Sequence, residues 1–128
     1  MRLLLDTCTF LWMLAEPEKL SPRASAALGQ SRIEVYLSAV SSFEIAVKAG
    51  LGKLSLPETP EAFVPRHMLR NSILPVVLDH AHALHVHSLP PHHSDPFDRL
   101  LIAQAQLEGL TIVTPDAAFA DYDVAALW

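Results

Sequence analysis

Apolar residues along this chain fall into two alternating kinds of run. Short blocks at Arg2–Leu5, Glu34–Leu37, Ile73–Leu78, Thr111–Val113 and Val124–Leu127 have the length and aliphatic character of buried strands. Between them, apolar positions recur three and four apart, the period of a helix packed on one side. This predicts a helix over Thr7–Leu14, stopped by Glu16-Pro17, and a second from Ser21-Pro22, with serine as N-cap and proline at the first helical position. A third begins at Ser38 and runs to about Gly50 or Gly52, and a fourth runs from Thr59-Pro60 to about Arg70. Asp79–His87 has helical period, and Asp95-Pro96 opens a strong helix to about Glu108 that Gly109 closes. A short helix follows Pro115. Pro75 within the third strand block marks that strand for a position near a sheet edge.

Strands alternating with helices predict an α/β fold with a mainly parallel sheet. The pattern leaves the order of the strands open. At 128 residues the chain fits one domain, spanning 1–128, with a core large enough to need no disulfide. One cysteine, Cys8, excludes an internal disulfide and fits a reducing compartment. Leu3-Leu4-Leu5 is interrupted at once by Asp6, so no secretory segment is expected, nor any membrane span. The expected location is cytoplasmic. The net charge of −5 runs against unassisted binding of nucleic acid, which depends on Lys and Arg to neutralise phosphates. A nucleic-acid enzyme of this charge needs acids gathered around cations, or a local basic patch.

The acids are placed for the first of these. Asp6 ends the first strand, at the carboxyl edge of the sheet. Crossover helices run antiparallel to the strands, so their first turns return to the same edge. Glu44 falls in the first or second turn of the helix after the second strand, Asp98 in the first turn of the Pro96 helix, and Asp116 just after the Thr111–Val113 strand. Four scattered acids thus converge where open α/β sheets bind ligands. Clustered carboxylates repel, and a hard divalent cation such as Mg2+ removes that cost. Such a site can hydrolyse a phosphodiester with metal-activated water.

Each acid also has a structural reading. Asp98 sits where a helix dipole favours negative charge, and Asp95 is best explained as the cap of that helix. Glu44 can complete a capping box with Ser41 or pair with Lys48, and the first is set aside if Ser38 is the true cap. Asp116 can shape a turn. Asp6, directly after three leucines, is hardest to explain this way. Seven histidines raise the question of zinc, but among His80, His82, His85 and His87 only His82 and His85 share a helix face, and no cysteine pair supports them or His92-His93. Solvated helix-face histidines are the expectation. Cys8 lacks a visible base and reads as packing. Lys48, Lys53, Arg66, Arg70 and Arg99 are candidate phosphate contacts. Phe10, Trp12 and Trp128 are read as core or interface.

Several of these segments have a family look. Leu3-Leu4-Leu5-Asp6-Thr7, Ser41-Ser42-Phe43-Glu44-Ile45, the run from Asp95-Pro96-Phe97-Asp98-Arg99 to Ala105, and Ile112-Val113-Thr114-Pro115-Asp116 resemble PIN domains, and more closely VapC-type toxins of bacterial toxin–antitoxin pairs. Gly50-Leu51-Gly52-Lys53-Leu54 and Val124–Trp128 resemble features of that subgroup, while Cys8 and Ser42-Phe43 depart from its pattern. The resemblance implies a three-layer α/β/α fold and Mg2+- or Mn2+-dependent cleavage of RNA. It also implies inhibition by a small antitoxin protein, and assembly as a homodimer or a hetero-oligomer with the antitoxin. By motif match the catalytic and metal-binding acids are Asp6, Glu44, Asp98 and Asp116, with Thr7, Thr114 and Arg99 in support and Lys48 and Lys53 as RNA-binding candidates. Two rivals are a non-catalytic module of the same fold and an aspartate-based phosphotransfer domain. The presence of all four acids opposes the first, and the absence of a second acid beside Asp6 opposes the second.

Overall fold

The computed structural model describes residues 1–128. Its strands are β1 (Arg2–Leu5), β2 (Glu34–Ser38), β3 (Ile73–Val76), β4 (Thr111–Val113) and β5 (Ala126–Leu127). The helices are α1 (Thr7–Ala15), α2 (Pro22–Leu28), α3 (Ala39–Gly50), α4 (Pro60–Arg70), α5 (His80–His85) and α6 (Pro96–Glu108), with a 3-10 turn at Ala117–Asp121. All strand pairs are parallel, in the order β3-β2-β1-β4-β5. The chain builds outward from β1 to β2 and β3, then returns to β1's other side for β4 and β5. The reversal falls between β1 and β4, where Leu5 pairs with Val113. β3 lies at the edge, where Pro75 leaves no ladder donor wasted.

β1 is buried on both faces, and its three leucines divide between two cores. Leu3 and Leu5 pack with Leu37, Val113, Phe10 of α1, Ala24 and Ala27 of α2, and Phe63 and Val64 of α4. Leu4 faces the opposite way, onto Ile112 and the α6 residues Leu101, Ile102 and Ala105. Helices on both faces of a parallel sheet give three α/β/α layers. α3 bridges the layers, with Ile45 in the first core and Val40 in the second.

Local signals set the helix starts. Ser21 accepts from Ala24 N and Ser38 from Val40 N, while Asp95 accepts from Phe97 N at 2.9 Å and Asp98 N at 3.5 Å. Gly109 ends α6 in the left-handed region at φ 67°, which glycine adopts without strain. No helix is long and apolar enough to cross a membrane.

Candidate active site

Asp6 is held at the switch between β1 and β4 by two hydrogen bonds. One oxygen accepts from Thr9 N at 2.7 Å as the N-cap of α1, and the other accepts from Thr114 Oγ1 at 2.6 Å. The carboxyl is nearly buried, and burial pushes its pKa up against the lowering effect of those donors. Thr114 serves twice, since its hydroxyl oxygen also accepts from Asp116 N at 3.1 Å. The two motif-matched threonines therefore both act on acids.

Glu44 lies in the second turn of α3. Thr7 Oγ1 donates to its Oε1 at 2.7 Å, and Lys48 one turn on pairs with its Oε2 at 2.5 Å. Ser38 is the helix cap and the buried Ser41 hydroxyl has no partner, so the capping box is not formed. Asp98 occupies the third position of α6. Its carboxyl is pushed up to about 7, first by burial and then by neighbouring Asp95, with His93 opposing and Asp6 and Glu44 adding to the rise. Asp116 caps the 3-10 turn through Oδ1, leaving Oδ2 to face His93 at 3.0 Å. Its turn-shaping role and its place at the acidic edge are thus combined.

Asp6, Glu44, Asp98 and Asp116 line one cavity of about 310 Å3 together with Thr7, Cys8, Lys48, Asp95 and Pro115. Lys48 is the only basic residue in that lining, and it is committed to Glu44. A larger groove of about 570 Å3 between α3 and α4 contains one acid, Glu61, and no group to act with it. The four acids therefore gather in the smaller cavity. Lys53 lines an adjoining cavity of about 270 Å3 with Trp12, Leu11 and Leu54, which shares Thr7, Cys8, Glu44 and Lys48 with the acidic one.

Other candidates lie elsewhere. Arg66 pairs with Glu58 at 2.8 Å, and Arg70 is exposed at the end of α4. Arg99 turns away from the cavity, although it follows Asp98. Its guanidinium donates to the carbonyls of Pro90 at 2.8 Å, Val86 at 3.1 Å and Leu89 at 3.3 Å, and to Tyr122 Oη at 3.2 Å. It ties the 86–93 segment to the start of α6. Cys8 borders the cavity, but burial and then Asp6 push its thiol up to about 11, which disfavours a thiolate nucleophile. Phe10 is core, and Trp12 packs against Trp128 with ring centroids 6.0 Å apart.

His80 and His87 are exposed as expected, but two other histidines correct the expectation of solvated helix faces. His82 is buried, accepts from Asp79 N and contacts Glu108 at 2.9 Å, while His85 contacts Gln106 at 2.7 Å. Both tie α5 to α6. More consequentially, His93 enters the acidic site, with Nε2 at 3.0 Å from both Asp98 Oδ2 and Asp116 Oδ2. Sequence reasoning missed it. The available signal was its position two residues before the Asp95 cap, where an incoming chain lies beside the first turn of the helix.

Comparison with known proteins places these features in context. The PIN domain model matches residues 3–125. Ribonuclease VapC22 of Mycobacterium tuberculosis is 34% identical over 116 residues, covering 88% of this chain and 85% of that protein. Ribonuclease VapC16 of the same organism is 44% identical over 54 residues, covering 42% of this chain and only 38% of its own length. Among solved structures, VapBC2 from Rickettsia felis, bound to a DNA fragment from its promoter, superposes with a TM-score of 0.72. It is 13% identical and covers 98% of this chain and 97% of that one, a likeness of fold.

Proposed function

The chain belongs to the PIN-domain family, and from that premise we propose that it is a metal-dependent endoribonuclease, the toxin of a toxin–antitoxin pair, acting as one domain over residues 1–128. The observation that carries the reading is the single cavity lined by Asp6, Glu44, Asp98 and Asp116 at the β1–β4 switch. Open parallel sheets bind ligands at such points. Likeness to ribonuclease VapC22 over most of both chains supports RNA as the substrate.

The donor set fits a hard divalent cation. Carboxylate oxygens dominate it, with threonine hydroxyls behind them and no thiolate free to compete. The raised pKa values of Asp6 and Asp98 mark carboxylates that cost energy to ionise without a cation nearby. Asp6, Asp98 and Asp116 would hold Mg2+ or Mn2+, with Glu44 completing the set. When bound, the ion supplies activation of water and neutralisation of charge at the scissile phosphodiester. Thr9 and Thr114 orient Asp6, and Thr7 and Lys48 orient Glu44. Lys53, which lines the adjoining cavity, would meet a flanking phosphate.

The net charge of −5 fits a small basic antitoxin that covers the acidic edge, a match of opposite potentials. The same partner accounts for a hetero-oligomeric form, and a homodimer within it follows the family resemblance.

The test is cleavage of a structured RNA by purified protein with Mg2+ or Mn2+, and its arrest by EDTA. Asp6→Asn and Asp98→Asn should each lower the rate by several orders of magnitude. Full activity in either variant, or activity that persists in EDTA, overturns the reading. For the toxin role, expression alone should slow growth, and co-expression with the antitoxin should restore it.

A further inference from the structure

The two ring nitrogens of His93 have opposite surroundings. Nε2 faces Asp98 Oδ2 and Asp116 Oδ2, each at 3.0 Å. Nδ1 lies 3.2 Å from Asp95 N, a backbone N–H that can only donate. Nδ1 must therefore offer its lone pair, and the ring presents an N–H at Nε2. A histidine that ligates a metal has the reverse arrangement, with a bare nitrogen towards the ion and the other N–H donating to an acceptor. His82 is built the same way as His93, with Nδ1 accepting from Asp79 N and Nε2 facing Glu108. In both places the chain uses imidazole as a donor to carboxylates.

The ring is also held in place. His93 N donates to Tyr122 Oη at 2.8 Å, and that hydroxyl in turn accepts from Arg99. The Phe119 ring meets the imidazole at a near-perpendicular angle of 88°. On the acids, Asp116 Oδ1 is already taken by Ala118 N, so His93 sets the remaining oxygen. Asp98 Oδ2 approaches the same nitrogen to 3.0 Å without hydrogen-bond geometry, so the Nε2 hydrogen is directed to Asp116.

Resting on the metal reading given above, we propose that His93 is a positioning residue that orients Asp116 for the cation by donating from Nε2 and keeps Asp98 beside it, and is not itself a ligand. Without it, two carboxylates on separate elements repel and turn apart.

The probe is Mn2+, read by electron paramagnetic resonance, with no RNA present. Wild type should bind Mn2+ without coupling to a directly bonded imidazole nitrogen. His93→Ala should bind it about 10–100-fold more weakly, the usual effect of removing a donor behind a ligand. His93→Gln, which keeps an N–H donor at similar reach, should recover most of the affinity. Thermal unfolding confirms that each variant is folded, and if His93→Ala is not, wild type and His93→Gln still decide. Nitrogen coupling in wild type makes His93 a ligand and overturns the proposal. Equal or tighter binding by His93→Ala overturns it as well, as does a folded His93→Gln that binds no better than a weakened His93→Ala. Wild type that binds no Mn2+ instead removes the metal reading on which the proposal stands.

Discussion

Thr114 Oγ1 donates a 2.6 Å hydrogen bond to Asp6 Oδ2, joining the ends of β4 and β1 at the point where the strand order reverses. Both groups are buried, so each depends on the other for the partner that water would otherwise supply. Thr114→Val keeps the shape and removes the donor, and it also strips Asp116 N of its acceptor. The expected cost is about 1–3 kcal/mol of stability in urea unfolding. RNA cleavage should fall by about 10–100-fold. A variant as stable and active as wild type would show that Asp6 needs no such support.

Asp98 gives the metal-free protein a pH dependence whose sign is fixed. Its pKa rises from 3.8 to about 7 on folding, through burial first and Asp95 second. The folded state then holds the proton more tightly than the unfolded one. Its contribution to stability is full below about pH 4 and is lost as pH climbs through about 7. In EDTA, Asp98→Asn should therefore gain on wild type between pH 5 and pH 8 in melting temperature. Mn2+ at pH 8 should raise wild type more than the variant. Parallel pH curves for the two proteins would mean that Asp98 is not held in this state.

Cys8 should be a poor nucleophile. A thiol raised from 9.0 to about 11 by burial and Asp6 has roughly 100-fold less thiolate at pH 8 than an ordinary cysteine. Alkylation by iodoacetamide should slow accordingly, and Asp6→Asn should speed it. Cys8→Ala should leave RNA cleavage within a few-fold of wild type. Loss of cleavage in a folded Cys8→Ala would bring the thiol back as a reacting group.

Arg99 should matter for stability more than its place beside the cavity implies. Its guanidinium satisfies the carbonyls of Val86, Leu89 and Pro90 at once, a fork that the single ammonium of lysine cannot reproduce. Arg99→Lys is expected to cost about 2 kcal/mol or more. Amide exchange in residues 86–93 should rise while β1 stays protected. Uniform loss of protection would point to a global effect and not to the segment that carries His93.

Much of this molecule is written locally. Leu3-Leu4-Leu5, buried on both faces, and the caps Ser21, Ser38 and Asp95 with Gly109 at a helix end use interactions within a few residues, so pattern and chemistry locate them. The four acids were legible for the same reason. Each follows a strand or opens a helix, and crossover helices in a parallel sheet must bring those points to one edge. The last strand was expected from Val124 but begins at Ala126, since only Ala126 and Leu127 have β4 partners.

What the sequence determined by itself is therefore the set of elements, their α/β alternation and the edge at which Asp6, Glu44, Asp98 and Asp116 gather. Tertiary structure alone decided the strand order, the direction of Arg99 and the entry of His93. Arg99 follows Asp98 by one residue, yet the helix turns it toward the carbonyls of the 86–93 segment and away from the acids. His93 lies in a segment without hydrophobic period, and its ring reaches Asp98 and Asp116 because Tyr122 and Asp95 fix its backbone and its Nδ1. Periodicity records which face of an element is buried. Contacts from a loop to partners far along the chain leave no period, because their geometry is settled only when the layers pack.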